Sequence, residues 1–111
     1  MQKIMGLFDF LFGKKKTSQA DFKKLIAEGA LVLDVRTKQE YDAGHIQNAL
    51  NIPVQELHEH LDEVKKKAGD HTVIAYCRSG RRSGRATEML NNAGIPTING
   101  GGMEELKAKL S

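Results

Sequence analysis

Cys77 is the single cysteine in a chain of 111 residues, and the residues on its two sides differ in kind. Thr72-Val-Ile-Ala-Tyr76 precedes it, short and rich in β-formers, whereas Arg78-Ser-Gly-Arg-Arg-Ser83 follows it. A thiol in ordinary surroundings, with a pKa of about 8.5, is only a small fraction thiolate near neutrality, and the thiolate is the attacking species. Positive charge on Arg78, Arg81, Arg82 and Arg85 favours the anion. Backbone N–H groups that converge where a strand turns into a helix do the same. These residues describe a nucleophile in an anion-holding turn. The competing reading, a small buried hydrophobe, needs apolar neighbours where this chain places cations.

The turn depends on elements that can be read around it. Residues 72–76 read as a buried strand, and Gly84-Arg-Ala-Thr-Glu-Met-Leu90 has good helix formers, so a helix is expected from about 83 to 93. Ser18, with Asp21 three residues on, marks a helix through about Glu28 that Gly29 ends. Residues 31–35 form an apolar strand interrupted only by Asp34. Thr37 and Glu40 make a capping-box pattern for a short helical turn that Gly44 closes. Apolar residues at 54, 57, 61, 64 and 68 predict one helix over 54–68, stopped by Gly69. A short strand over 97–99 and a helix from Met103 complete the order. Alternating strands and helices predict an α/β domain, a small parallel sheet flanked by helices on both faces. Ligands of such sheets bind beyond the carboxyl ends of the strands, where Cys77 sits. Asp34 and Arg36 leave the first strand at that same end. Their charges favour an ion pair or loop-fixing bonds with Glu40 or His45 over direct shaping of the pocket.

Composition bounds the rest. The length suits one core, and 40% hydrophobic with 28% charged residues is ordinary for a globular domain. One cysteine forms no internal disulfide, which makes the reducing cytoplasm the expected compartment. The net charge of +3 is divided among a lysine run at 14–16, another at 65–67 and the arginine loop. With only 5% aromatic residues there is no stripe for nucleic acid. His58 and His60, two apart on a helix, point to different sides, and His71 precedes a strand at the end away from Cys77. No zinc spacing results, and neither metal nor cofactor is expected. Residues 1–16 stand apart from a domain over 17–111. Ile4-Met-Gly-Leu-Phe-Asp-Phe-Leu-Phe12 leads into Gly13-Lys-Lys-Lys16, far short of the roughly 20 residues that cross a bilayer and without a small-residue cleavage site. Apolar positions 4, 7, 8, 11 and 12 share one helical face with lysines beyond. Peripheral membrane contact is one role that pattern allows; packing on the domain or on a second copy are others.

The chain resembles the rhodanese-like sulfurtransferase family through five motifs in family order, spanning roughly residues 18 to 110. Leu31-Val-Leu-Asp-Val-Arg36 resembles the first-strand motif and Glu40-Tyr-Asp-Ala-Gly-His-Ile46 the Glu-x-x-x-Gly-His-Ile element. Ala49-Leu-Asn-Ile-Pro53 is similar to the segment after it. Tyr76-Cys77 with the six-residue loop from Cys77 to Arg82, then Gly101-Gly102, complete the set. Where the family often has Trp near the end, this chain has Leu106, a change of packing within the same fold.

The resemblance implies a sulfurtransferase: the Cys77 thiolate takes the outer sulfur of a small anionic donor such as thiosulfate, and a thiol or cyanide removes it from the resulting persulfide. A partner sulfur-relay protein is a further acceptor. The resemblance also implies that Arg78, Ser79, Gly80, Arg81 and Arg82, with Ser83 beside them, hold the donor. Arg81 and Arg82 are the expected direct contacts, and Gly80 an unusual backbone angle. Asp34, Arg36, Glu40 and His45 become structural support. Electrostatic holding of this sort needs no histidine base. One alternative is a partner-dependent sulfur-carrier or binding module of the same family. Another is a cysteine phosphatase or arsenate reductase, whose signature resembles Cys, five residues, then Arg. Here the sixth position after Cys77 is Ser83 and Arg82 comes one step early, a loop better sized for a sulfur's substituents than for a tetrahedral oxyanion.

Overall fold

The computed structural model describes residues 19–111; the expected helix start at Ser18 and the apolar segment over 1–16 lie outside the described residues. The elements run α1 (Gln19–Ala27), β1 (Leu31–Asp34), α2 (Lys38–Ala43), β2 (Leu50–Asn51), a 3-10 helix (Val54–Glu59) and α3 (Leu61–Ala68). They continue with β3 (Val73–Cys77), α4 (Arg81–Asn92), β4 (Thr97–Gly102) and α5 (Met103–Leu110). The four strands form one sheet in the order β2-β1-β3-β4, every pair parallel. The two central strands are buried on both faces, which is why β1 and β3 are nearly continuous apolar runs.

Period-two alternation divides the core. Leu33, Val35, Val73, Ala75 and Cys77 face one layer, with Leu57, Val64, Ala86 and Leu90. Val32, Ile74 and Tyr76 face the other, with Phe22, Ile46 and Leu106. Leu106 is fully buried there, so an apolar residue does fill that site. Cys77 closes β3 on the face that carries α4.

Two elements differ from the sequence reading. The expected helix over 54–68 is two pieces: a 3-10 turn ends at His60, whose φ of −121° breaks the spiral, and α3 starts beyond it. The apolar stripe still buries Val54, Leu57, Val64 and Ala68, because the three-residue step from 54 to 57 suits a 3-10 turn as well as an α-helix. The last strand runs to Gly102, not Asn99. Its glycines have poor strand propensity, yet pairing with β3 holds them, with a bulge: Asn99 lies opposite Ala75 and Gly101 opposite Tyr76, so Gly100 is the extra residue.

Candidate active site

The loop after β3 is built around one atom. Gly80, at φ +98°, takes the left-handed conformation that glycine tolerates and starts α4, which begins two residues earlier than its sequence suggests. Arg81, Arg82 and Ser83 are therefore the first turn of α4, where amide hydrogens lack helical partners. The Gly80 amide donates to the Cys77 Sγ at 3.0 Å and the Ser83 amide at 3.4 Å. The Ser83 hydroxyl lies 3.4 Å from the same sulfur. Cys77 itself is fully buried in the hydrophobic cluster with Ala75 and Ala86, so the apolar surroundings that the sequence reading denied it are present, beside the donors of the loop. Burial pushes the thiol pKa up. The hydroxyl of Ser83 and the amides of Ser83, Gly80 and Ser79 outweigh it, and the pKa lies below its ordinary value.

Hydrogen bonds, more than the crowd of arginines expected from the sequence, thus favour the thiolate. Arg78 and Arg81 have exposed side chains, as does Arg85. Arg82 is the loop cation whose charge bears on Cys77, and it is already engaged. Its two terminal nitrogens donate to the two oxygens of Glu40 at 2.8 and 3.1 Å. Glu40 also closes the capping box of α2, accepting from the Thr37 amide at 2.9 Å while Thr37 accepts from the Glu40 amide. The Arg82 hydrogen bonds hold the Glu40 carboxyl down at about 2. A local helix cap therefore fixes the orientation of a loop arginine.

β4 supports the loop from below. Asn99 donates from Nδ2 to the Gly80 carbonyl at 3.2 Å, and its Oδ1 accepts from the Ser83 hydroxyl at 2.7 Å and from the Gly101 amide at 2.9 Å. A Cβ on Gly102 would lie 2.5 Å from the Arg78 carbonyl oxygen, so the backbone passes there only as glycine. Asn99 is the residue that sequence reasoning missed; an asparagine just ahead of a glycine run at a strand exit was the available signal.

The remaining polar residues build the frame. Asp34 is fully buried and is bonded by Arg36 through Nε and Nη2, the latter at 2.7 Å, and by the Tyr76 hydroxyl at 2.6 Å. That hydroxyl in turn accepts from the Ile46 amide at 3.0 Å, and Arg36 reaches the Gly44 carbonyl. Asp34 and Arg36 therefore pair with each other and with Tyr76. Glu40 turns instead to Arg82, and His45 stacks on Tyr41 and bonds its carbonyl. A cleft of about 290 Å³ lined by Arg36, Glu40, Ala43, Arg78, Met103 and Glu104 opens beside the loop. Among the described residues no three acidic, histidine or cysteine side chains group to hold a metal.

The model of the rhodanese-like domain matches residues 18–109. The chain belongs to the rhodanese-like family. This rhodanese-like domain is 37% identical over 75 residues to the thiosulfate sulfurtransferase PspE of Escherichia coli, covering 67% of this chain and 71% of that protein. It is 33% identical to the human thiosulfate:glutathione sulfurtransferase over 94 residues, 74% of this chain and 82% of that one. The crystal structure of a rhodanese-related protein from Thermoplasma volcanium superposes with a TM-score of 0.71 at 30% identity, covering 86% of this chain and 93% of the other.

Proposed function

We propose that this rhodanese-like domain is a sulfurtransferase that moves a sulfane sulfur from thiosulfate or a similar small anion to a thiophile through a persulfide on Cys77. The observation that carries the reading is the sulfur itself, held by two amides and faced by a hydroxyl at the start of a helix, with no histidine bonded to it. In the first step the thiolate attacks the outer sulfur, a new S–S bond forms, and the old bond breaks with its electron pair leaving on sulfite. In the second, a thiolate already ionised in solution, or cyanide, attacks that outer sulfur and the pair returns to the Cys77 Sγ. Neither step needs a proton moved by a base, so preorganised donors suffice. Because Cys77 has no exposed surface, donor approach requires the groups that cover the sulfur to move aside. Arg82, tied to Glu40 and one position short of the phosphatase spacing, favours sulfur over phosphate chemistry.

The test is intact-mass spectrometry after incubation with thiosulfate, beside Cys77→Ser. The wild type is expected to gain one sulfur atom and to lose it on adding cyanide or a thiol, and the variant to gain none. A wild type that gains none, with its fold intact, would mean that thiosulfate is the wrong donor or that the domain is a partner-dependent binding module. Turnover of a phosphate ester would overturn the argument from loop length.

A further inference from the structure

Ser83 has one proton to donate and two acceptors within reach. Its hydroxyl oxygen is 2.7 Å from the Asn99 Oδ1, an optimal O–H to O separation, and 3.4 Å from the Cys77 Sγ. The orientation of Asn99 is not arbitrary. Its Oδ1 faces the Gly101 amide and its Nδ2 faces the Gly80 carbonyl; turned over, each end would meet a group of its own kind. Ser83 is fully buried, so the proton has no solvent alternative.

We infer that Asn99 is a positioning residue for Cys77: its Oδ1 accepts the hydrogen bond of the Ser83 hydroxyl while the sulfur is a thiol and gives that hydrogen bond up to the sulfur when the thiolate forms, the proton staying on the Ser83 oxygen throughout. In the thiol the proton on sulfur points at the Ser83 oxygen and the Ser83 proton at Oδ1. On ionisation the thiol proton leaves to solvent, the hydroxyl turns to the sulfur, and Oδ1 keeps its bond from the Gly101 amide. Once a second sulfur is attached, the negative charge moves to the outer atom and the hydroxyl can return to Asn99. Asn99 is thus a competitor that keeps the thiolate from holding its donor permanently. The return step rests on the reading of Cys77 as a sulfur carrier; the proton competition does not. The charged groups on the loop and on the elements packed against it are Arg78, Arg81 and Arg85 with exposed side chains, Arg82 with Glu40 from α2, the Asp34–Arg36 pair at the end of β1, and Glu105 of α5 on the Gly102 amide. With Glu40 held at about 2 and both guanidinium groups raised, the Arg82–Glu40 charges stay constant while the thiol titrates.

The test is the pH dependence of Cys77 alkylation by iodoacetamide, read by intact mass on the full chain with no sulfur donor present. Asn99→Leu keeps the branched shape and removes the acceptor, together with the donor to the Gly80 carbonyl. Its titration midpoint is expected to fall, raising the rate on the acid limb about two- to tenfold, the range of one neutral hydrogen bond. In a Ser83→Ala background the same substitution is expected to lower nothing, leaving at most the rise that loosening of the loop amides gives. An unchanged or raised midpoint, the sign that general loosening of the loop amides gives, would overturn the inference, as would a fall that persists without Ser83. Should Asn99→Leu not fold, Asn99→Asp keeps the acceptor and holds the proton more strongly. Its midpoint is expected to rise, and to rise less in Ser83→Ala, where only the charge of the carboxylate acts; an unchanged midpoint or a fully surviving rise would overturn the inference. If the shifts appear but thiosulfate adds no sulfur to Cys77, the sulfur-carrier reading fails and the role of Asn99 stands.

Discussion

A buried thiol is ordinarily harder to ionise, so the chemistry of Cys77 turns on whether its hydrogen bonds exceed the cost of burial. They do, and the largest favourable contribution is the Ser83 hydroxyl. Ser83→Ala is therefore expected to raise the thiol pKa and slow alkylation near neutrality about ten- to a hundredfold, since a hydrogen bond to a charged group is worth roughly 1.5–3 kcal/mol. A wild-type titration curve in that variant would show that the amides alone hold the anion. Gly80→Ala is a test of a different kind. At φ +98° a Cβ costs about 1–2 kcal/mol and would sit 3.4 Å from the Gly101 Cα. Sulfur loading should fall more than stability does, because the distortion falls on the amide nearest the sulfur.

At the scale of elements, the loop is held from two directions, by the cap of α2 through Glu40 and by β4 through Asn99 and Gly102. Glu40→Gln is expected to lose about 1 to 2 kcal/mol, between the value of an exposed and a buried pair, and to free Arg82. The pH dependence follows from the carboxyl. Its folded pKa of about 2 lies below its ordinary 4.5, so the contribution is complete above about 4.5 and is lost as pH falls toward 2. Thermal midpoints of wild type and Glu40→Gln should differ near neutrality and converge on acidification; a constant gap would place the effect elsewhere than in the ion pair. Gly102→Ala should disturb the loop without touching the sulfur, because its Cβ meets the Arg78 carbonyl, and loss of sulfur loading with retained cooperative unfolding is the expected readout.

At the scale of the molecule, the Asp34–Arg36–Tyr76 network joins two strands of the sheet to the segment at Ile46. Asp34→Ala leaves a buried guanidinium without its charge partner and a buried phenol without its acceptor, and is expected to cost about 3–5 kcal/mol of stability. Denaturant unfolding measures it; normal stability with lost sulfur loading would move Asp34 from frame to chemistry. What the sequence determined by itself was local in origin. A lone cysteine between a β-rich run and a glycine-bearing cationic turn, a Thr37–Glu40 cap and alternating strand and helix signals depend on neighbours within a few residues, and they yielded the parallel sheet, the turn and Cys77. What only the tertiary structure decided were pairings between distant residues. Glu40 meets Arg82 across 42 positions, Tyr76 meets Asp34 across 42, and Asn99 meets Ser83 across 16. A charge or an amide has many partners of suitable chemistry in a chain, and only the register of β3 on β1 and β4, with the bulge at Gly100, selects which of them lies within hydrogen-bonding distance.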